Sequence, residues 1–222
     1  MNKIPMSCRD FKVGSTNERR RFAKEFVEEF VRGVAPNKRL KDSAKVWTDQ
    51  IRSQFMKMCP EDCDTVPNKK EDWKEFLVDF TWMEKGQGGR VLLACESEWA
   101  SDRFGTQTRW GLVEEDFEKL LAVKAPYKLL IFSSIPESLR TNSDPEVNFS
   151  IQHAKDRIAI SLRKYWHHLS GETYMLLDFP GTGDKDGDGV YDAYIWIAEN
   201  DGEAEIKFDD LAGGKLNRPL ND

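Results

Sequence analysis

The chain has no apolar run approaching the roughly 18 residues that a membrane span needs. Its opening residues, MNKIPMSCRDFKVG, lack the apolar core of a secretory signal. Neither membrane insertion nor export is expected, and the reading places the chain in the cytoplasm. Cysteine is scarce, at Cys8, Cys59, Cys63 and Cys95. Only Cys59 and Cys63 are close, and no second pair or nearby histidine completes a zinc set. Cys95 sits inside an apolar run, where a thiol behaves as a small hydrophobe. Four free thiols in a reducing compartment are expected. Histidine is limited to His153, His167 and His168, all in one expected helix, and no serine or cysteine nucleophile has a matching acid. No GxGxxG follows a strand and no GxxxxGK loop is present, so neither nucleotide-binding fingerprint applies. A basic excess is missing too. The formal net charge is -6, which counts against coating DNA by bulk charge but leaves room for a local basic surface. Internal repeats and low-complexity segments are absent.

What is present suits one soluble domain: 222 residues, 39% hydrophobic and 32% charged, long enough to bury a full core. Phe22, Phe26, Val27, Phe30 and Val31 recur at helical spacing and predict a helix over 16–34, capped by Ser15 or Thr16. Arg19, Arg20 and Arg21 in its first turn read as a solvated face, with a phosphate contact as the alternative. A second helix is expected over 40–58, with Val46, Trp47, Ile51, Phe55 and Met58 as its stripe and Pro60 ending it. Residues 60–70 read as a polar loop. Residues 75–82 (EFLVDFTW) and 90–99 (RVLLACESEW) read as strands joined by the glycine turn EKGQGGR. The second is nearly all apolar, as in a strand covered on both faces. A helix over 113–123, a strand over 127–133, a helix over 146–169 and strands over 173–179 and 191–198 follow. Residues after Glu199 read as a polar tail in which Ile206 and Phe208 pack. The order predicts an α/β fold with a central mixed β-sheet flanked by helices, N-terminal helices and a C-terminal β-hairpin.

The chemistry-bearing residues gather around the most hydrophobic strand. Glu96 and Glu98 are two apart, so both point to one face, and Ser97 to the other. Asp79 lies in the preceding strand, and a hairpin through the glycine turn brings it toward them. Like-charged carboxylates in a partly buried site disfavour one another unless a cation neutralises them. Mg²⁺ or Mn²⁺ takes oxygen ligands of this kind, together with waters and phosphate oxygens. Phosphodiester hydrolysis is the reaction that such a site suits best.

The run EFLVDFTW, then RVLLACESEW, then EDFEKLLAVKAPYKLLIF resembles the PD-(D/E)xK nuclease superfamily, the restriction-endonuclease-like fold. That fold has a helix, a strand hairpin carrying the acidic motif, a helix and another strand. By that resemblance Asp79 takes the place of the motif's first aspartate and Glu96 that of its (D/E). Glu98 stands where the motif carries lysine, and some restriction endonucleases carry Glu-x-Glu there. Val78 stands where a proline usually precedes the aspartate. In such nucleases a neighbouring helix supplies the lysine. Lys124, seven residues after Phe117, is the first candidate, Lys119 the second, and Lys128 on the next strand the third. The resemblance implies a restriction-endonuclease-like core over about residues 40–133, within one domain spanning 1–199 and followed by a polar tail over 200–222. It implies a metal-dependent endonuclease that cleaves DNA, in defence or repair, and a homodimer is compatible with it. The alternative is a non-catalytic binding or regulatory protein that retains the fold, motivated by Val78, Glu98 and the acidic charge.

A second acidic motif lies in the turn DKDGDGVYD. Asp184, Asp186, Asp188, Gly189 and Asp192 match positions 1, 3, 5, 6 and 9 of a calcium-binding EF-hand loop, but Ile195 stands where that loop needs glutamate. Its flanks read as strands, and Asp-Gly pairs are what hairpins use. A solvated hairpin turn is the default and Ca²⁺ binding the alternative.

Overall fold

A computed structural model describes residue 11 and residues 14–34, 44–66, 77–86, 89–98, 109–134, 150–165, 168–179, 190–198 and 206–215. The first helix, α1 (Thr16–Val34), starts on a capping box. The Ser15 backbone N–H donates to Glu18 Oε2 at 2.8 Å, and the Glu18 N–H donates back to Ser15 Oγ at 3.4 Å. Its apolar stripe buries Ala23, Phe26, Val27, Phe30, Val31 and Val34. Helix α2 (Ala44–Met58) packs beside it at Gly33, where a Cβ would lie 2.0 Å from the Gln54 side chain. Trp82 Nε1 donates to the Phe55 carbonyl at 3.1 Å and ties α2 to the sheet.

Among the described residues seven strands follow: β1 (Cys63–Val66), β2 (Phe80–Glu84), β3 (Val91–Glu98), β4 (Tyr127–Phe132), β5 (Thr173–Asp178), β6 (Val190–Ile197) and β7 (Asp209–Lys215). They form one open mixed sheet in the order β1-β2-β3-β4-β5-β6-β7. The pairs β3–β4 and β4–β5 are parallel and the rest antiparallel. The parallel pairs are crossed by α3 (Arg109–Ala122) and α4 (Ile151–Lys164). Both crossovers step in the same direction, so a common handedness puts both helices on one face. Helices α1 and α2 cover the other.

The alternation along β4 shows the two layers. Tyr127, Leu129 and Ile131 join the core under α1 and α2, with Trp82, Leu93 and Cys95. Leu130 and Phe132 join the core under α3 and α4, with Ala94, Phe117, Ile158 and Leu176. Each large apolar side chain so buried contributes roughly 1.5–3 kcal/mol.

Several expectations are corrected here. Residues 60–70, read as a loop, contain β1, whose hydrogen-bonded neighbour is β2. The polar tail contains β7, paired with β6, and Phe208 is buried beside it. The strand expected over 75–82 starts at Phe80 and runs to Glu84. The helix expected over 146–169 ends at Lys164, so His168 lies in the connection to β5. Cys63 is disulfide-bonded, its partner lying outside the described residues, while Cys59 and Cys95 are free thiols. The expectation of four free thiols is therefore overturned. Of the arginines expected on a solvated face, Arg19 is not solvated, whereas Arg20 is a surface group. Arg19 is buried and donates to the carbonyls of Gly14 and Gly171, and Arg20 pairs with Asp209 at 2.8 Å. Among the described residues no helix is long and apolar enough to cross a membrane.

Candidate functional site

Strand β3 runs through the middle of the sheet and is apolar on both faces until its C-terminal end. There Glu96, on the α3 side, is buried at 2% exposure, and Glu98 is half-buried two residues on. The ends of parallel strands are where open α/β sheets gather ligands. The expected hairpin is formed, with Phe80 opposite Cys95. Asp79 does not lie within the strand, as expected from the sequence, but in the bend just before β2. Its Oδ2 accepts from both the backbone N–H and the Oγ of Ser97, each at 3.0 Å. Ser97 therefore fixes Asp79 at the end of β3.

A fourth acid comes from α3. Asp116 is 8% exposed and lies on the helix face that also buries Val113, Phe117 and Leu120. The four carboxyls crowd in two pairs, Glu96 beside Asp79 and Glu98 beside Asp116. Burial, then the charges of Asp79 and Asp116, push the Glu96 carboxyl up to about 9. Burial and Asp116 push Glu98 up to about 7. Burial also raises Asp116, against the opposing effect of Lys119.

Among the described residues one cation enters the cluster. Lys119 Nζ lies 2.6 Å from Asp116 Oδ1 and 3.9 Å from Glu96 Oε1. Burial disfavours its charge, but Asp116, Glu96 and Asp79 outweigh that and hold its pKa above the ordinary value. Lys124, the first-ranked lysine, is exposed, with Nζ 5.9 Å from the centre of the Tyr165 ring. It precedes the start of β4, where Tyr127 pairs with Leu93, five residues before Glu98 on β3. At about 3.3 Å per residue, the start of β4 is roughly 10 Å along the sheet from Glu96 and roughly 16 Å from Glu98, and Lys124 lies before it. Lys128 is likewise apart. It is no edge charge but is buried in the central strand β4, 3.2 Å from Glu172 and 3.0 Å from Tyr174 Oη. His168 completes that second network, with Nδ1 2.9 Å from Tyr174 Oη.

The structure thus brings together Asp79, Glu96, Glu98 and Lys119, adds Asp116 and Ser97, and leaves out Lys124 and Lys128. Trp99 lies outside the described residues. So do Asp184, Asp186 and Asp188, while Asp192 lies on β6 opposite Asp178. The donors at the end of β3 are all carboxylate oxygens, the chemistry a hard dication takes. Among the described residues, however, no set of three or more His, Cys, Asp or Glu side chains is arranged to hold a metal ion. Comparison with family models, with curated proteins and with solved structures returns no match, so the site is read from its own residues.

Proposed function

We propose that this chain is a metal-dependent phosphodiesterase acting on DNA, with a PD-(D/E)xK-like core. The observation that carries this reading is Glu96, a carboxyl at 2% exposure on the end of a central strand, placed against Asp79 and flanked by two more acids. A buried acid that served the fold alone would be matched by a close cation, yet the nearest among the described residues, Lys119, is 3.9 Å away and closer to Asp116. The order α2, β2–β3 hairpin, α3, β4 follows what the sequence resemblance implies and supports the reading.

Asp79 and Glu96 would hold Mg²⁺ or Mn²⁺ once the ion draws their carboxyls together, since no three such side chains are grouped for a metal among the described residues. Bound there, the ion supplies an acidified water and offsets charge on the phosphodiester. The chain's own residues do the rest. Ser97 orients Asp79 through two hydrogen bonds. Glu98, half-buried beside them, would serve as a further ligand or orient the attacking water. Lys119, in the place the resemblance gives to a helix-borne lysine, contacts a phosphate oxygen and balances its charge.

The test is incubation of purified protein with duplex, single-stranded and branched DNA, with Mg²⁺ or Mn²⁺ and with chelator. Metal-dependent cleavage that disappears in Glu96→Ala is expected. Intact DNA under every condition defeats the proposal. The acid–acid pairing favours a second reading, a non-catalytic binding protein that keeps the fold. A calorimetric titration with Mn²⁺ separates the two, since that reading requires no binding.

A further inference from the structure

Asp116 is an anomaly on α3. The face that carries it is otherwise apolar, and its neighbours one helical turn away, Val113 and Leu120, are each 1% exposed. A negative charge placed there sits beside three other carboxyls, which disfavours the folded state. It is not needed to solubilise Lys119, whose side chain is 36% exposed and reaches water by itself. Asp116 does restrict where that lysine goes. The pair is spaced i, i+3, with the 2.6 Å contact on the sheet side of the helix. A lysine on a flexible four-carbon stem would otherwise spread over many rotamers in solvent.

We propose that Asp116 is a positioning residue that holds the Lys119 ammonium over the end of β3, beside Glu96, where a phosphate oxygen of a bound nucleic-acid strand would meet it. This rests on the phosphodiesterase reading. It assigns Asp116 no direct contact with substrate, so Asp116 acts only through Lys119. It also explains why the ion pair is formed within the helix while the more exposed Lys124 stays remote from the acids.

A double-mutant cycle tests this. In the full chain with Mn²⁺ and plasmid DNA, Asp116→Ala should lower kcat by about 10–100-fold with KM unchanged within about twofold. Asp116→Asn keeps an acceptor in the same place and should recover part of the loss. In a Lys119→Met background, Asp116→Ala should change kcat by less than about twofold. Full, multiplicative losses in that background overturn the proposal. A second readout needs no cleavage. Acylation of Lys119 by an amine reagent, followed by mass spectrometry and compared with the exposed Lys24, should speed up several-fold in Asp116→Ala. An unchanged rate overturns the positioning role. A faster rate in a protein that cuts no DNA upholds it and removes only the nuclease reading. Because both Asp116 variants delete a crowded negative charge, they are expected to fold.

Discussion

Glu96 makes the stability of this protein depend on pH in an unusual direction. Its carboxyl is held at about 9 in the folded chain, against an ordinary value of 4.5. Below the ordinary value it is neutral in both states, and its contribution is fully present. Between the two values the folded chain keeps a proton that the unfolded chain releases, so stability falls as pH rises. The slope is about 1.4 kcal/mol per pH unit, which gives ~4 kcal/mol between about pH 5 and pH 8. Glu98, held at about 7, adds to the fall over the lower part of that range. Glu96→Gln keeps the shape and the hydrogen-bond donor but cannot ionise. The expected result, by urea denaturation in chelator, is a wild-type stability that drops from pH 5 to pH 8 and a variant whose drop is smaller by roughly 4 kcal/mol, a large share of the usual 5–15 kcal/mol. Parallel stability curves for the two proteins would refute the idea that Glu96 is a crowded, proton-holding acid.

Ser97→Ala removes both the Oγ donor to Asp79 and the restraint on its rotamer, so Mn²⁺ affinity measured by calorimetry should fall by about 10–100-fold while the backbone N–H bond remains. Lys128→Met leaves Glu172, at 2% exposure, without its cation, and should cost about 3–5 kcal/mol in a denaturant titration. Gly171→Ala forces a side chain onto a backbone at φ +82° and within 2.6 Å of the Arg19 guanidinium, and should lower stability by at least about 1–2 kcal/mol. Lys124→Ala should leave DNA cleavage unchanged, whereas Lys119→Ala should reduce it at least tenfold.

The elements legible in the sequence were those whose pattern is set by burial. The stripe from Phe22 to Val31 predicts α1 to the residue, and the apolar run from Val91 to Cys95 marks β3 as a covered strand. The strands that sequence reading missed are the two outermost ones. β1 has four residues, and β7 carries Gly213 and Gly214, so their place is set by pairing with β2 and β6 rather than by any apolar alternation of their own. Asp79, Glu96 and Glu98 were visible because strand spacing and a hairpin suffice to relate them. Asp116 was not, although a signal existed: it stands three residues after Val113 and four before Leu120, inside the apolar stripe. Lys124 misled because helical spacing was extended beyond Ala122, where α3 ends. Lys128 stands as a third candidate in the sequence because nothing local reveals that β4 is central or that Glu172 waits 44 residues further on.

The strand order has one more consequence. Every rung of the sheet joins strands that are consecutive along the chain. Cutting any connection between neighbouring strands therefore divides the sheet into two contiguous pieces that share a single seam. Fragments split in the α4–β5 connection would each carry a continuous run of strands and would need to rebuild only the β4–β5 ladder to reassociate.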